Sequence, residues 1–192
     1  MSKRVNIAIL GSGTGSNAHA ICCFAAEGTG EYDVGLIITT SHDAGICDVA
    51  RMHGVELVVL ESRKTFEADL HEVLRSANVS VLVLAGFMRL LPSSIITALN
   101  GRVLNIHPSL LPAFGGVGMY GLNVHRAVTA SGVASTGATV HVVSEEYDQG
   151  AIILQRSVPI PTGCSPEALQ EIVKTVEHEL YPLAIDVYIR NT

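Results

Sequence analysis

A chain of 192 residues with 48% hydrophobic and 16% charged side chains is too apolar for a disordered segment and long enough for one full core, which predicts a single domain over residues 1–192. A net charge of -6 with scattered basic residues excludes a surface that wraps nucleic acid, yet leaves room for a small phosphate held by backbone N–H groups at a helix start. No apolar run approaches bilayer length, and Cys22, Cys23, Cys47 and Cys164 lack C-x-x-C spacing, so we expect a soluble, cytoplasmic chain with no membrane or metal partner and with buried, reduced thiols.

Met1 to Arg4 form a basic start, but the apolar run that follows is short and leads into a glycine turn, so Val5–Leu10 reads as a first strand and not a secretion signal. Helical and extended patterns then alternate: helix over 16–27, strand over 34–39, helix over 44–53, strand over 56–60, helix over 66–77 and strand over 79–85. This order predicts parallel βα units. Residues 81–84 are apolar throughout, as in a strand covered on both faces. A short helix opens after Pro92, which suits a first-turn position, and residues 102–106 form a further strand.

Beyond it, residues 108–121 are glycine-rich without apolar period and read as a mobile, functional loop. A helix over 122–131 precedes two extended runs, 138–143 and 151–160, whose polar connection suggests an antiparallel pair. Ser165, Pro166 and Glu167 start a closing helix with apolar spacing through Leu169, Val173 and Val176. The predicted fold class is α/β: a Rossmann-like, mostly parallel twisted sheet with helices on both faces and antiparallel strands added late.

The turn Gly11-Ser-Gly-Thr-Gly-Ser-Asn17 lies between strand and helix, where free N–H groups and the helix dipole favour an anion. A dinucleotide fingerprint would place glycine at Ser16, and no acidic residue follows the second strand near Thr39 or Thr40 to hold a ribose. Ser16 is suited to cap the helix or to meet a phosphate oxygen, and Asn17 adds an amide. If the fourth strand neighbours the first, Gly86 opens beside this turn and permits close ligand approach.

In an extended chain Asn105 and His107 share one face and Ile106 the other, and Pro108 keeps His107 out of the helical region. An imidazole beside an amide donor suits addition of an amine to a carbonyl-type carbon. Ser109 is next to this pair, but no Gly-x-Ser-x-Gly elbow is present and no cysteine lies nearby, so direct transfer is favoured over a covalent route. An acid that would raise the imidazole pKa is expected from Asp148, Glu145 or Glu146, and spacing alone does not choose among them.

The chain resembles the phosphoribosylglycinamide formyltransferases, folate-dependent enzymes of purine synthesis, over nearly its whole length. The resemblance rests on the turn ending at Asn17, Leu84-Ala-Gly-Phe-Met-Arg89, Asn105-Ile-His-Pro-Ser-Leu-Leu-Pro112, Tyr147-Asp-Gln-Gly150 and Glu177-His-Glu-Leu-Tyr-Pro182. It implies catalysis by Asn105, His107 and Asp148, with His107 as proton donor and Asp148 maintaining its charge. It further implies nucleotide binding by Gly13, Thr14, Gly15, Ser16, Asn17, Gly86 and Glu177, the last at the ribose hydroxyls. The folate would lie against Met88, Arg89, Leu90, Leu91, Asn105, Val143, Glu146 and Tyr147, with Arg63 beside it.

The implied substrates are 10-formyltetrahydrofolate and phosphoribosylglycinamide, with no metal, and a homodimer is compatible with the family. Two other readings share parts of this pattern: a formyltetrahydrofolate deformylase, which uses water in place of the amine, and a non-catalytic nucleotide-binding module. Methionyl-tRNA formyltransferase also resembles the chain around Asn105, His107 and Asp148, but it and the deformylase normally carry a further domain for which 192 residues leave no room. The stretch Ala113-Phe-Gly-Gly-Val-Gly-Met-Tyr-Gly121 is longer and richer in glycine than in the commonest relatives. His125 is expected on a helix surface and His141 in a supporting role near the site.

Overall fold

A computed structural model describes residues 4–192, so Met1 to Lys3 of the basic start lie outside the described residues. Strands β1 (Val5–Leu10), β2 (Tyr32–Thr39), β3 (Glu56–Val59), β4 (Val81–Leu84) and β5 (Val103–His107) alternate with helices α1 (Ser16–Ala26), α2 (Ile46–His53), α3 (Phe66–Ser76) and α4 (Ser93–Ala98). The chain continues through α5 (Leu122–Ser131), β6 (Ser135–Val142), β7 (Ile152–Pro159) and α6 (Pro166–Arg190). The seven strands form one sheet in the order β3-β2-β1-β4-β5-β6-β7. β1 to β5 pair in parallel, and β6 and β7 extend the sheet antiparallel.

Alternation along the central strands feeds two cores. Ile7 and Ile9 of β1 and Val81 and Val83 of β4 pack with α1, α2, α5 and α6, whereas Ala8, Leu10, Leu82 and Leu84 pack with α3 and α4. Each fully buried leucine or isoleucine contributes about 1.5–3 kcal/mol of transfer free energy, which is why strands apolar on both faces occupy the sheet centre. The helix after β1 covers one face and the helix after β4 the other. The carboxyl ends of these adjacent strands therefore flank a topological switch point, where α/β sheets open a crevice.

Several local expectations are corrected. Gly15, and not Ser16, takes the cap position of α1, with φ 82° and no side-chain cap. A Cβ at Gly15 would stand 2.8 Å from Ile46 Cα, so both sterics and dihedral demand glycine there. Pro92 caps α4 and does not enter its first turn. Cys22 and Cys47 are buried as expected, but Cys23 is exposed and Cys164 half-buried.

The closing helix runs for 25 residues, straight through Pro182. An interior proline costs about 3 kcal/mol, and the burial of Leu180, Tyr181, Ala184 and Ile185 around it outweighs that cost. Tyr181 also donates its hydroxyl toward Leu84 O at 2.9 Å and Leu104 O at 3.1 Å, tying the helix to the strand ends.

Candidate active site

A cavity of about 630 Å³ opens at the carboxyl ends of β1, β4 and β5. On one side the turn from Gly13 to Asn17 presents the start of α1, whose first N–H groups have no side-chain cap. Ser12 Oγ donates to Gly86 O at 2.9 Å, joining this turn to the end of β4. Gly86 has φ 74° and open space where a Cβ would stand, leaving the backbone bare toward the crevice. Asn17 Nδ2 donates to Glu177 Oε2 at 2.8 Å, while Asn17 Oδ1 is buried with no partner. Burial pushes the Glu177 carboxyl above its ordinary range, against the opposing pull of the Asn17 amide and the Lys174 charge.

Across the cavity stand Asn105 and His107, on one face of β5 as the strand period requires. Antiparallel pairing sets Asn105 opposite His141 and His107 opposite Thr139. Asn105 Nδ2 donates to His141 Nε2 at 3.2 Å, and the other ring nitrogen, Nδ1, donates to Val142 O at 2.9 Å. The Asp148 carboxylate reaches both rings, with Oδ2 3.4 Å from His107 Nδ1 and Oδ1 3.6 Å from His141 Nε2. The Gly116 N–H also donates to Asp148 Oδ2, at 2.9 Å.

Asp148 has φ 57°, a left-handed conformation that aspartate tolerates better than most residues. Phe114 shares this conformation with less excuse, and its carbonyl accepts from His107 Nε2 at 2.8 Å. The loop that carries it is pinned at its start: Ser109 Oγ donates to Ala113 O at 2.6 Å and Thr139 Oγ1 to Ser109 O at 2.6 Å. Ser109 has the strand parity of Asn105 and His107 but lies past the end of β5, and these two bonds engage it away from the cavity.

The charge on His107 departs from expectation. Burial lowers its pKa below the usual imidazole value and outweighs the attraction of Asp148, which acts in the raising direction. His107 is therefore neutral near pH 7. Burial works to raise the Asp148 carboxyl, but the nearby His141 ring, the Gly116 N–H and the His107 ring together hold it below its ordinary value.

All seven residues expected at the nucleotide, Gly13 to Asn17 with Gly86 and Glu177, line the cavity, as do Asn105, His107 and Asp148. Of the folate set, Met88, Asn105 and Tyr147 line it too. Arg63 and Arg89 line an adjoining hollow of about 260 Å³ that shares Phe87 and Met88 with the main cavity. Leu90, Leu91, Val143 and Glu146 are not brought to either wall: Leu91 is 4% exposed in the core and Val143 packs against it.

Residues that sequence reading missed complete the site. His125 is 2% exposed and lines the cavity, correcting the surface assignment, and burial followed by the charge of His107 lowers its pKa. Gln170 and Lys174 of α6 join Glu177 on the wall. Their spacing of four and three residues puts them on one helix face, a signal that was available once Glu177 had been singled out.

Sheet topology and polar cluster together define an α/β protein with an uncapped helix start at a switch point and an imidazole and a carboxylate beside it. The sequence matches the Formyl transferase family over residues 5–185, and the chain belongs to that family. It is 40% identical over 185 residues to the chloroplastic phosphoribosylglycinamide formyltransferase of Arabidopsis thaliana, covering 93% of this chain and 63% of that protein. Phosphoribosylglycinamide formyltransferase of Escherichia coli (strain K12) is 36% identical over 186 residues, with 94% of this chain and 85% of that protein covered.

The crystal structure of glycinamide ribonucleotide transformylase 1 from Symbiobacterium toebii superposes with a TM-score of 0.91 at 37% identity, covering 100% of this chain and 90% of that one. The chain spans less than two thirds of the length of the two plant relatives, 63% for Arabidopsis thaliana and 59% for Vigna unguiculata. Among the described residues no helix is long and apolar enough to cross a membrane.

Proposed function

We propose that this chain, acting as a single domain in the cytoplasm, transfers the formyl group of 10-formyltetrahydrofolate to the amine of phosphoribosylglycinamide in purine synthesis. The observation that carries this reading is one cavity with an open helix start on one side and the cluster of Asn105, His107 and Asp148 on the other. The uncapped helix start suits the phosphate and the polar cluster the amine end of such a substrate, and the names of the relatives support the same substrates.

In this reading the turn from Gly13 to Asn17 receives the phosphate and Gly86 and Glu177 the ribose. The folate lies toward Met88, Asn105 and Tyr147. Arg89 Nη2, buried without a partner, offers one of its oxygens a donor in the adjoining hollow, beside Arg63. With its Nε2–H given to the Phe114 carbonyl, the neutral His107 ring keeps its lone pair at Nδ1, on the Asp148 side, and takes there the proton that the amine sheds on adding to the formyl carbon. Asp148 and the Phe114 carbonyl stabilise the imidazolium, which returns the proton to the leaving nitrogen. Asn105 gives one Nδ2 hydrogen to His141 and keeps the other for the oxygen of the tetrahedral stage. These groups supply proton transfer and oxyanion stabilisation without calling on a metal.

The test follows release of the deformylated folate with and without phosphoribosylglycinamide. Strict dependence on the nucleotide is expected. Equal release in its absence would replace transfer by hydrolysis, and nucleotide binding with no release at all would reduce the chain to a binding module.

A further inference from the structure

A second polar cluster lies on α1, outside both cavities. His19 and Cys23 are one turn apart on α1, so their side chains leave the helix on the same side. His53, the last residue of α2, meets them there. His19 Nδ1 stands 2.9 Å from His53 Nε2 and 4.0 Å from Cys23 Sγ. One ligand-type atom from each of the three lies within 4.8 Å of the other two, and His19 and Cys23 are exposed while His53 is half-buried.

Hydrogen bonds pair the imidazoles and set the Cys23 thiol 3.6 Å from His19 Nε2, so all three donors already converge. In tetrahedral zinc coordination, bonds of about 2.0–2.1 Å to nitrogen and 2.3 Å to sulfur set ligand atoms about 3.4–3.6 Å apart. The two spacings to His19 Nδ1 fall on either side of that range, and with all three ligand atoms within 4.8 Å of one another, side-chain rotation brings the set to a common ion. Two imidazoles and a thiolate form a donor set suited to zinc and its neighbours and not to magnesium or calcium.

We propose that His19, Cys23 and His53 bind one zinc-type divalent ion, with water in the fourth position, and so clamp α1 to the end of α2. Binding moves the proton shared between the imidazoles to the far nitrogen of its own ring and releases the Cys23 thiol proton to solvent. The site is structural: α1 opens on the glycine turn and α2 packs against Gly15, so the clamp braces the helix pair behind the cavity. The absence of C-x-x-C spacing does not bear on it, because the ligands come from two helices and only folding brings them together.

Titration of the full chain with cobalt(II), read by its thiolate charge-transfer absorption, tests the site. One equivalent of cobalt should saturate the band, zinc should bleach it, and zinc should raise the melting temperature. Cys23→Ser should abolish the band, and His53→Gln should weaken cobalt binding by about 100-fold or more, since even outer partners of a metal ligand are worth 10–100-fold. Circular dichroism of both metal-free variants checks that they remain folded. No charge-transfer band in the native chain, or a band that survives Cys23→Ser in a folded variant, would overturn the assignment.

Discussion

Asn17 Nδ2 donates to Glu177 Oε2 at 2.8 Å, tying the first turn of α1 to α6 across the wall of the cavity. Glu177→Ala removes the acceptor and leaves the amide unpaired, at a cost of about 1–3 kcal/mol where the group stays dry. If Glu177 holds the ribose, KM for phosphoribosylglycinamide rises about tenfold or more with a smaller change in kcat, measured at saturating folate. An unchanged KM would take Glu177 out of the nucleotide site.

Asp148→Asn tests the carboxylate without disturbing its backbone, since asparagine also accepts the left-handed conformation at φ 57°. Turnover should fall by about 10²–10⁴-fold, the range of a general acid–base contribution, while circular dichroism stays native. The sign of the pH effect follows from the charges. Asp148 raises the His107 pKa against burial, so its neutralisation lowers that pKa further, and the limb of the pH–rate profile governed by His107 moves to lower pH. A limb that stays in place would separate the two residues functionally.

Much of this arrangement is written in local pattern. The βα alternation, the doubly buried Val81–Leu84 strand and the shared face of Asn105 and His107 each depend on a period of two or on helical spacing, and each appears in the folded chain. What local pattern could not supply is anything decided by a distant contact. The capping role passes from Ser16 to Gly15 because Ile46 crowds that position, and α6 crosses Pro182 because its buried neighbours hold the helix on the sheet. The neutral state of His107 is of the same kind: sequence suggests an acid nearby, but only the packed site reveals that burial outweighs it.

Gly15 and Gly13 should respond unequally to alanine. Gly15→Ala puts a Cβ on a residue at φ 82° and 2.8 Å from Ile46 Cα, whereas a Cβ at Gly13 meets nothing within 4 Å. The left-handed conformation alone costs about 1–2 kcal/mol, and the clash with backbone adds to it. Urea unfolding should show a loss of about 2 kcal/mol or more for Gly15→Ala, and a change within about 0.5 kcal/mol for Gly13→Ala. Equal losses would mean that the turn is not held as described.

Acid should destabilise the fold through its buried histidines. His125 and His107 have folded pKa values below the ordinary 6.5, so the unfolded chain takes up their protons first as pH falls. Their contribution is present above pH 6.5 and is lost as pH drops through the depressed folded values. Glu177 has the opposite sign: its pKa is raised from 4.5, so its contribution is present below that value and is lost as pH rises through the folded one. Between about pH 7.5 and 5.5 the histidines should lower the urea midpoint as acid is added, an effect that grows with the number of rings buried neutral. His125→Asn removes one such ring from the cavity wall and should flatten the dependence. A variant that keeps the full slope would show that His125 takes its proton as readily in the folded chain as in the unfolded one.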